Sequence, residues 1–175
     1  MPISLKLLKQ MKNYANINIY FETGMSRGNG IKKAIECNFN KIYSIDICKK
    51  WITYNEKQFR DKTNIFLIHD DSQNLDKHIN NINEKIFFFL DAHNDHSNSD
   101  TENEKCIINC PILKELEIIK NHHIKDHLII IDDIRIFKNK KDSYLVASTR
   151  SPYPGRKCDN WGMDVHLKTI EQKLI

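Results

Sequence analysis

Glycine and proline are scarce, five and four among 175 residues, and nowhere do they gather into a linker. With no internal repeat either, the chain is expected to fold as a single domain over residues 1–175, a length at which a proper core can be buried. Long hydrophobic runs are also missing. The most apolar pieces, such as "HLIIIDDI", are a handful of residues long, far short of the ~20 that cross a bilayer, so a soluble protein without a membrane partner is expected. Cysteines number five (Cys37, Cys48, Cys106, Cys110 and Cys158), an odd count. No charged-then-apolar leader ends in a small-residue cleavage site, so a reducing, cytoplasmic setting is expected, the host cytoplasm if the source is a virus. The net charge of +4 is dispersed, without a lysine-rich or arginine-rich block. A nucleic-acid face usually shows such clustering, so a nucleic-acid partner is not expected.

What is present is a recurring alternation. Runs of β-branched and aromatic residues occur as "INIYFET" (17–23), "KIYSIDI" (41–47), "NIFLIHD" (64–70), "KIFFFLDA" (85–92) and "HLIIIDD" (127–133). Their near-continuous apolarity, without polar alternation, predicts strands covered on both faces. Between them lie helical spacings: Ile31, Ala34 and Ile35; then Trp51, Tyr54 and Phe59; then Leu75, Ile79 and Ile82. The clearest helix is "PILKELEIIKNHH" (111–123), with Pro111 at a plausible first helical position and a stripe of Ile112, Leu113, Leu116 and Ile119. Strand alternating with helix predicts an α/β fold with a doubly wound, mainly parallel sheet and ligands beyond the carboxyl ends of the strands. Every strand ends in acid there: Glu22, Asp46, Asp70 with Asp71, Asp91, and Asp132 with Asp133. An aspartate after a strand is often only a turn or cap residue; five such ends on one edge suggest a site. The polar stretch "NDHSNSDTENEKC" (94–106) has no periodicity and is expected to be a loop at that edge.

After the first run, "FETGMSRGNG" spaces Gly24, Gly28 and Gly30 as G-x-x-x-G-x-G. Glycines between a strand and a helix let a ligand approach backbone and helix N-terminus. The spacing is neither the dinucleotide fingerprint nor a P-loop, which argues against NAD and ATP. Asp46 can accept both hydrogen bonds of a ribose diol, and Asp71 with Ser72 in "HDDS" suit an adenine amino group.

Taken in order, "FETGMSRGNG", "YSIDI", "HDDS", "FFLDAH", "CPILKELE" and "IIIDDIR" resemble the class I S-adenosylmethionine-dependent methyltransferases. Within them the chain is similar to the metal-dependent sugar O-methyltransferases of the macrocin and mycinamicin type and to related small viral and bacterial methyltransferases. The resemblance runs from about Ile17 to Asp133. It implies a Rossmann-like fold, S-adenosylmethionine as cofactor, Glu22, Gly24, Gly28 and Gly30 along its methionine and ribose part, Asp46 at its ribose, and Asp71 and Ser72 at its adenine. It also implies a divalent ion, Mg²⁺ or another, held by Asp91, Asp132 and Asp133 and binding neighbouring hydroxyls of the substrate. Hard oxygen donors on two strand ends suit such an ion.

A hydroxyl that attacks a methyl group must lose its proton. His93, two residues past Asp91, is the candidate base, with Asp91 beside it in the catalytic set and His96 as competitor. His93, His96, Cys106 and Cys110 are alternatively a loose zinc pattern. After Asp133 only "SYLVAST" (143–149) is apolar enough for a strand, although the final segment (161–175) reads as a helix. The two C-terminal strands of the family are therefore expected to be lacking: the chain is C-terminally truncated or short, or a homo-oligomer or another chain completes the sheet. The leading expectation is methylation of a sugar hydroxyl in a glycan or glycosylated metabolite. The alternatives are an RNA or protein methyltransferase and a degenerate fold serving as a binding or scaffold module.

Overall fold

In the computed structural model, which describes residues 4–92 and 110–132, five strands form one sheet. They are β1 (Ile19–Thr23), β2 (Lys41–Asp46), β3 (Ile65–His69), β4 (Ile86–Leu90) and β5 (Leu128–Ile131). The spatial order is β3-β2-β1-β4-β5, and all four neighbouring pairs are parallel. The expected doubly wound α/β sheet is thus present. The strands lie within the predicted apolar runs and are shorter than them by up to two residues at either end.

Five helices connect and cover them: α1 (Leu5–Ala15), α2 (Asn29–Glu36), α3 (Lys49–Phe59), α4 (Leu75–Ile79) and α5 (Ile112–Asn121). The chain first winds outward from β1 to β3, then crosses back to β4 and winds the other way. Right-handed crossovers therefore put α2 and α3 on one face and α4 and α5 on the other. The core divides accordingly. Tyr20, Ile42, Phe87 and Phe89 meet Leu8, Ile31, Ala34, Ile52 and Phe59 on one side of the sheet. Phe21, Ile45, Phe88 and Leu90 meet Leu75, Ile79, Ile112, Leu116 and Ile119 on the other. β1 and β4 are buried at every residue, which explains why their sequences carry no polar alternation.

Local chemistry sets the helix boundaries. Ser4 caps α1, its Oγ accepting from Leu7 N at 3.2 Å, and Asn16 ends that helix in the left-handed region at φ 51°. α1 is absent from the sequence expectations, although Leu5, Leu8, Met11 and Ala15 carry a helical stripe that packs on the core. α4 is shorter than its apolar spacing predicts: Ile82 lies beyond it and is still buried, its N–H bonded to Ile79 O. Pro111 stands at the N-cap of α5, one position earlier than expected. The predicted 94–106 loop, the strand candidate at 143–149 and the helix at 161–175 lie outside the described residues, as does the question of C-terminal strands. No helix among the described residues is long and apolar enough to cross a membrane.

Candidate functional site

β1 and β4 are neighbours whose outgoing connections run to opposite sides, so the sheet has its topological switch point between their carboxyl ends. The glycine segment is built into that point. Gly24 N donates to Ile45 O at 2.9 Å, while Asp91 N reaches Thr23 O at 3.1 Å and Thr23 Oγ1 at 3.3 Å, so the ends of β2, β1 and β4 are tied together. Gly24 has φ +85°, and a Cβ there would stand 2.5 Å from the Asp91 carbonyl oxygen. Gly28, at φ +72°, caps α2 where a Cβ would overlap the Asn55 amide oxygen and meet the Phe59 ring. At Gly30 a Cβ would overlap the Glu22 carboxylate. Each glycine therefore stands at a close approach inside the fold, and at Gly24 and Gly28 the positive φ favours glycine as well.

Glu22 is only 2% exposed. Its Oε1 accepts from Ser44 Oγ at 2.7 Å and its Oε2 from Tyr20 Oη at 3.0 Å. Burial pushes its carboxyl up to about 8 against these two hydrogen bonds, and the charges of Asp91 and Asp46 push the same way. The structure places Glu22 against Gly30 at the start of α2, with both oxygens engaged by the sheet.

Asp46 braces the same segment from β2. Its Oδ2 accepts from Ser26 N at 2.9 Å and its Oδ1 from Cys48 N at 2.8 Å. Asn55 of α3 adds a latch, donating to Ser26 O at 2.7 Å. Carboxylate oxygens can each accept more than one hydrogen bond, which is the chemistry a ribose diol requires.

At the end of β3, Asp71 caps a single 3₁₀ turn (Ser72–Asn74), its Oδ1 accepting from Gln73 N at 2.9 Å and its Oδ2 from Gln73 Nε2 at 3.0 Å. Ser72 is buried. The neighbouring Asp70 turns to α4, where His78 Nε2 lies 2.9 Å from its Oδ2 and Asn74 donates to its Oδ1 at 2.8 Å. Burial opposes the shift, yet the hydrogen bonds from His78, Asn74 and Asp71 N hold its carboxyl below the usual value.

Asp91 follows β4, and Asp132 follows β5 with its N–H bonded to Leu90 O at 3.0 Å. Because Leu90 pairs with Ile131, these two acids occupy adjacent positions on neighbouring strand ends. Two hard oxygen donors side by side fit a divalent cation in chemistry. Among the described residues, no group of three ligating side chains is assembled. Asp133, the third expected ligand, and His93 and His96 lie outside the described residues, as does Cys106 of the zinc pattern. Cys110 is described, and burial pushes its thiol up to about 11.

Glu115 is a part of the site that the sequence did not reveal. It is 1% exposed in the first turn of α5, and its Oε1 is buried without a hydrogen-bond partner among the described residues. Burial pushes its carboxyl up to about 7, against hydrogen bonds from Ser72 and Thr23 and with the charges of Asp71 and Asp91. The signal was its place three residues from Ile112 and four from Ile119, within the apolar stripe; the polar look of "KELE" hid it. Tyr20, Ser44 and Asn55 were also missed: the partners of Ser44 and Asn55 lie more than twenty residues away, and Tyr20, two residues from Glu22, reads as one more apolar strand residue.

The fold matches known structures. A candidate caffeoyl-CoA O-methyltransferase from Staphylococcus aureus superposes with a TM-score of 0.57 and 18% identity, over 78% of this chain and 61% of that one. The fold is that of the class I S-adenosylmethionine-dependent methyltransferases. The Podospora anserina methyltransferase PaMTH1, bound to S-adenosylhomocysteine, gives 0.56 and 12% identity over 75% of this chain and 53% of that one. An S-adenosylmethionine-dependent methyltransferase from Clostridium acetobutylicum gives 0.51 and 18% identity over 73% and 48%. The chain thus spans about half to three fifths of the length of these methyltransferases. No protein-family model matches the sequence, and no curated protein matches it.

Proposed function

We propose that this protein binds S-adenosylmethionine at the switch point and transfers its methyl group to a hydroxyl, in the leading case a sugar hydroxyl of a glycan or glycosylated metabolite. The observation that carries the reading is the braced glycine segment: a thin β1–α2 turn held at Ser26 by Asp46, on a methyltransferase fold. The cofactor, when bound, supplies an electrophilic methyl on a sulfonium cation. The charge balance suits a cation, because Asp46, Asp71 and Asp91 lie around the switch point, and their charges act on the buried Glu22 and Glu115.

In this reading Asp46 accepts from the ribose diol, the Asp71–Ser72 turn borders the adenine, and Gly24, Gly28 and Gly30 keep the segment thin enough for approach. Glu22 acts from inside, holding α2 against the sheet. Asp91 and Asp132, with Asp133, would hold a divalent ion that lowers the acidity barrier of the acceptor hydroxyl. His93 takes the hydroxyl proton.

Calorimetric titration with S-adenosylhomocysteine, with and without Mg²⁺, tests this. Micromolar binding is expected, and methyl transfer to simple glycosides follows. Binding with activity on RNA alone would replace the sugar by RNA. The second reading, a degenerate methyltransferase fold serving as a binding module, is favoured by the carboxylates' engagement with the protein's own backbone; absence of binding would select it.

A further inference from the structure

Glu115 joins elements that meet nowhere else in sequence. It projects from α5 towards Thr23, the last residue of β1, and Ser72, the first of the turn after β3. Thr23 also receives the Asp91 N–H through both its carbonyl and its hydroxyl oxygen. Ser72 follows Asp71, the residue expected at the adenine. One carboxyl on α5 therefore ties the β1 end at the switch point to the turn after β3.

Among the described residues, the leading influences on it include no cation. The groups acting on it are the Ser72 and Thr23 hydroxyls and two acids, Asp71 after β3 and Asp91 after β4. From its own segment the Cys110 thiol, itself raised, faces it. A fully buried carboxylate with acidic neighbours is strongly disfavoured, whereas the neutral acid costs far less to bury. Oε1 has no hydrogen-bond partner among the described residues, a cost that is smaller for a neutral acid than for a carboxylate.

We infer that Glu115 is a positioning residue for the methyl-donor pocket, acting in its neutral acid form through Thr23 and Ser72 to set the β1 end and the adenine-side turn. The identity of the ligand rests on the function proposed above; the clamp itself does not.

The test uses the full chain in EDTA, so that no ion reaches Asp91 and Asp132. Glu115→Gln copies the neutral acid in shape, and Glu115→Ala removes the clamp. S-adenosylhomocysteine affinity is measured from pH 6 to pH 9. Glu115→Gln is expected within about threefold of wild type at pH 6, and Glu115→Ala about tenfold weaker or worse, as for loss of a buried hydrogen-bonding partner. As pH rises, wild-type affinity falls relative to Glu115→Gln, because ionised Glu115 repels Asp71 and Asp91. Glu22 titrates in the same range on the other face of the sheet, and it cancels in that comparison.

Thermal unfolding supplies a readout that needs no ligand. A carboxyl raised above its unfolded value stabilises most at low pH and loses that contribution as pH rises through the folded value. Wild type should therefore lose melting temperature relative to Glu115→Gln between pH 4.5 and about 7. Equal pH slopes for the two proteins, or a Glu115→Gln protein that fails to fold, would overturn the inference. So would a folded Glu115→Gln protein that loses binding throughout. If wild type binds no S-adenosylhomocysteine but the unfolding difference appears, the clamp stands and the methyl-donor function falls.

Discussion

Gly24 shows how much one residue carries at the switch point. With φ +85° and the Asp91 carbonyl 2.5 Å from any added Cβ, alanine there meets both a strained backbone and a backbone neighbour that cannot swing away. Gly24→Ala is expected to cost about 1–3 kcal/mol for the conformation alone and more for the contact, read as a lower urea midpoint with weakened ligand binding. Asp46→Ala is a cleaner probe of the site. It removes acceptors from Ser26 N and Cys48 N, both near the surface, so the fold survives while S-adenosylhomocysteine affinity falls about tenfold or more. Asp132→Ala should leave that affinity largely intact and abolish metal-dependent turnover. Equal loss of binding in Asp46→Ala and Asp132→Ala would show that ribose and metal positions are not separate. These residues were legible in the sequence because an acid at a strand end stands out against an apolar run. Glu115 was not, since its burial is a property of α5 packing across two other elements.

At the scale of elements, α5 and β5 are joined by a histidine pair whose tautomers follow from geometry. Ile86 N–H donates to His127 Nδ1 at 3.0 Å, so that nitrogen is bare and His127 carries its proton on Nε2. Nε2–H then donates to His122 Nδ1 at 2.9 Å, and His122 Nε2–H donates to Ile79 O at 2.9 Å. Two neutral imidazoles thus link β4, β5, α5 and α4. Burial and the neighbouring His122 push His127 down to about 4 from 6.5. The unfolded chain then binds more protons than the folded one between those values, so stability falls as pH drops from about 6.5 towards 4. His127→Gln should flatten that limb of a melting-temperature profile by a few degrees. No spacing rule in "NHHIKDH" reveals this chain of bonds, because two of its four partners lie forty residues upstream.

For the whole molecule, the winding of the sheet ranks its strands by protection. β1 and β4 are buried along their whole length and flanked by strands on both sides, whereas β3 is a sheet edge with exposed and half-buried residues. Amide exchange should be slowest in β1 and β4 and markedly faster in β3, a gradient that peptide-level mass spectrometry resolves. Across three strands the aromatics Phe21, Tyr43 and Phe66 stack at 5.5 and 4.7 Å, ending in a Phe66 that is 41% exposed. Phe66→Ser is accordingly a mild change and Phe21→Ser a severe one.

What the sequence determined alone was the order of elements and their chemistry. Apolar runs at strand length, helical stripes between them and an acid at every strand end are local patterns, set by backbone periodicity and readable within a short window. What only the tertiary structure decided was which of those groups meet. Sheet order β3-β2-β1-β4-β5 brings Gly24 over Asp91, Gly30 against Glu22, and Glu115 to Thr23 and Ser72. Such contacts join residues about ninety positions apart at most, and they arise because right-handed crossovers carry the chain outward from β1, then back past it to β4, so that distant segments meet at the sheet's carboxyl edge.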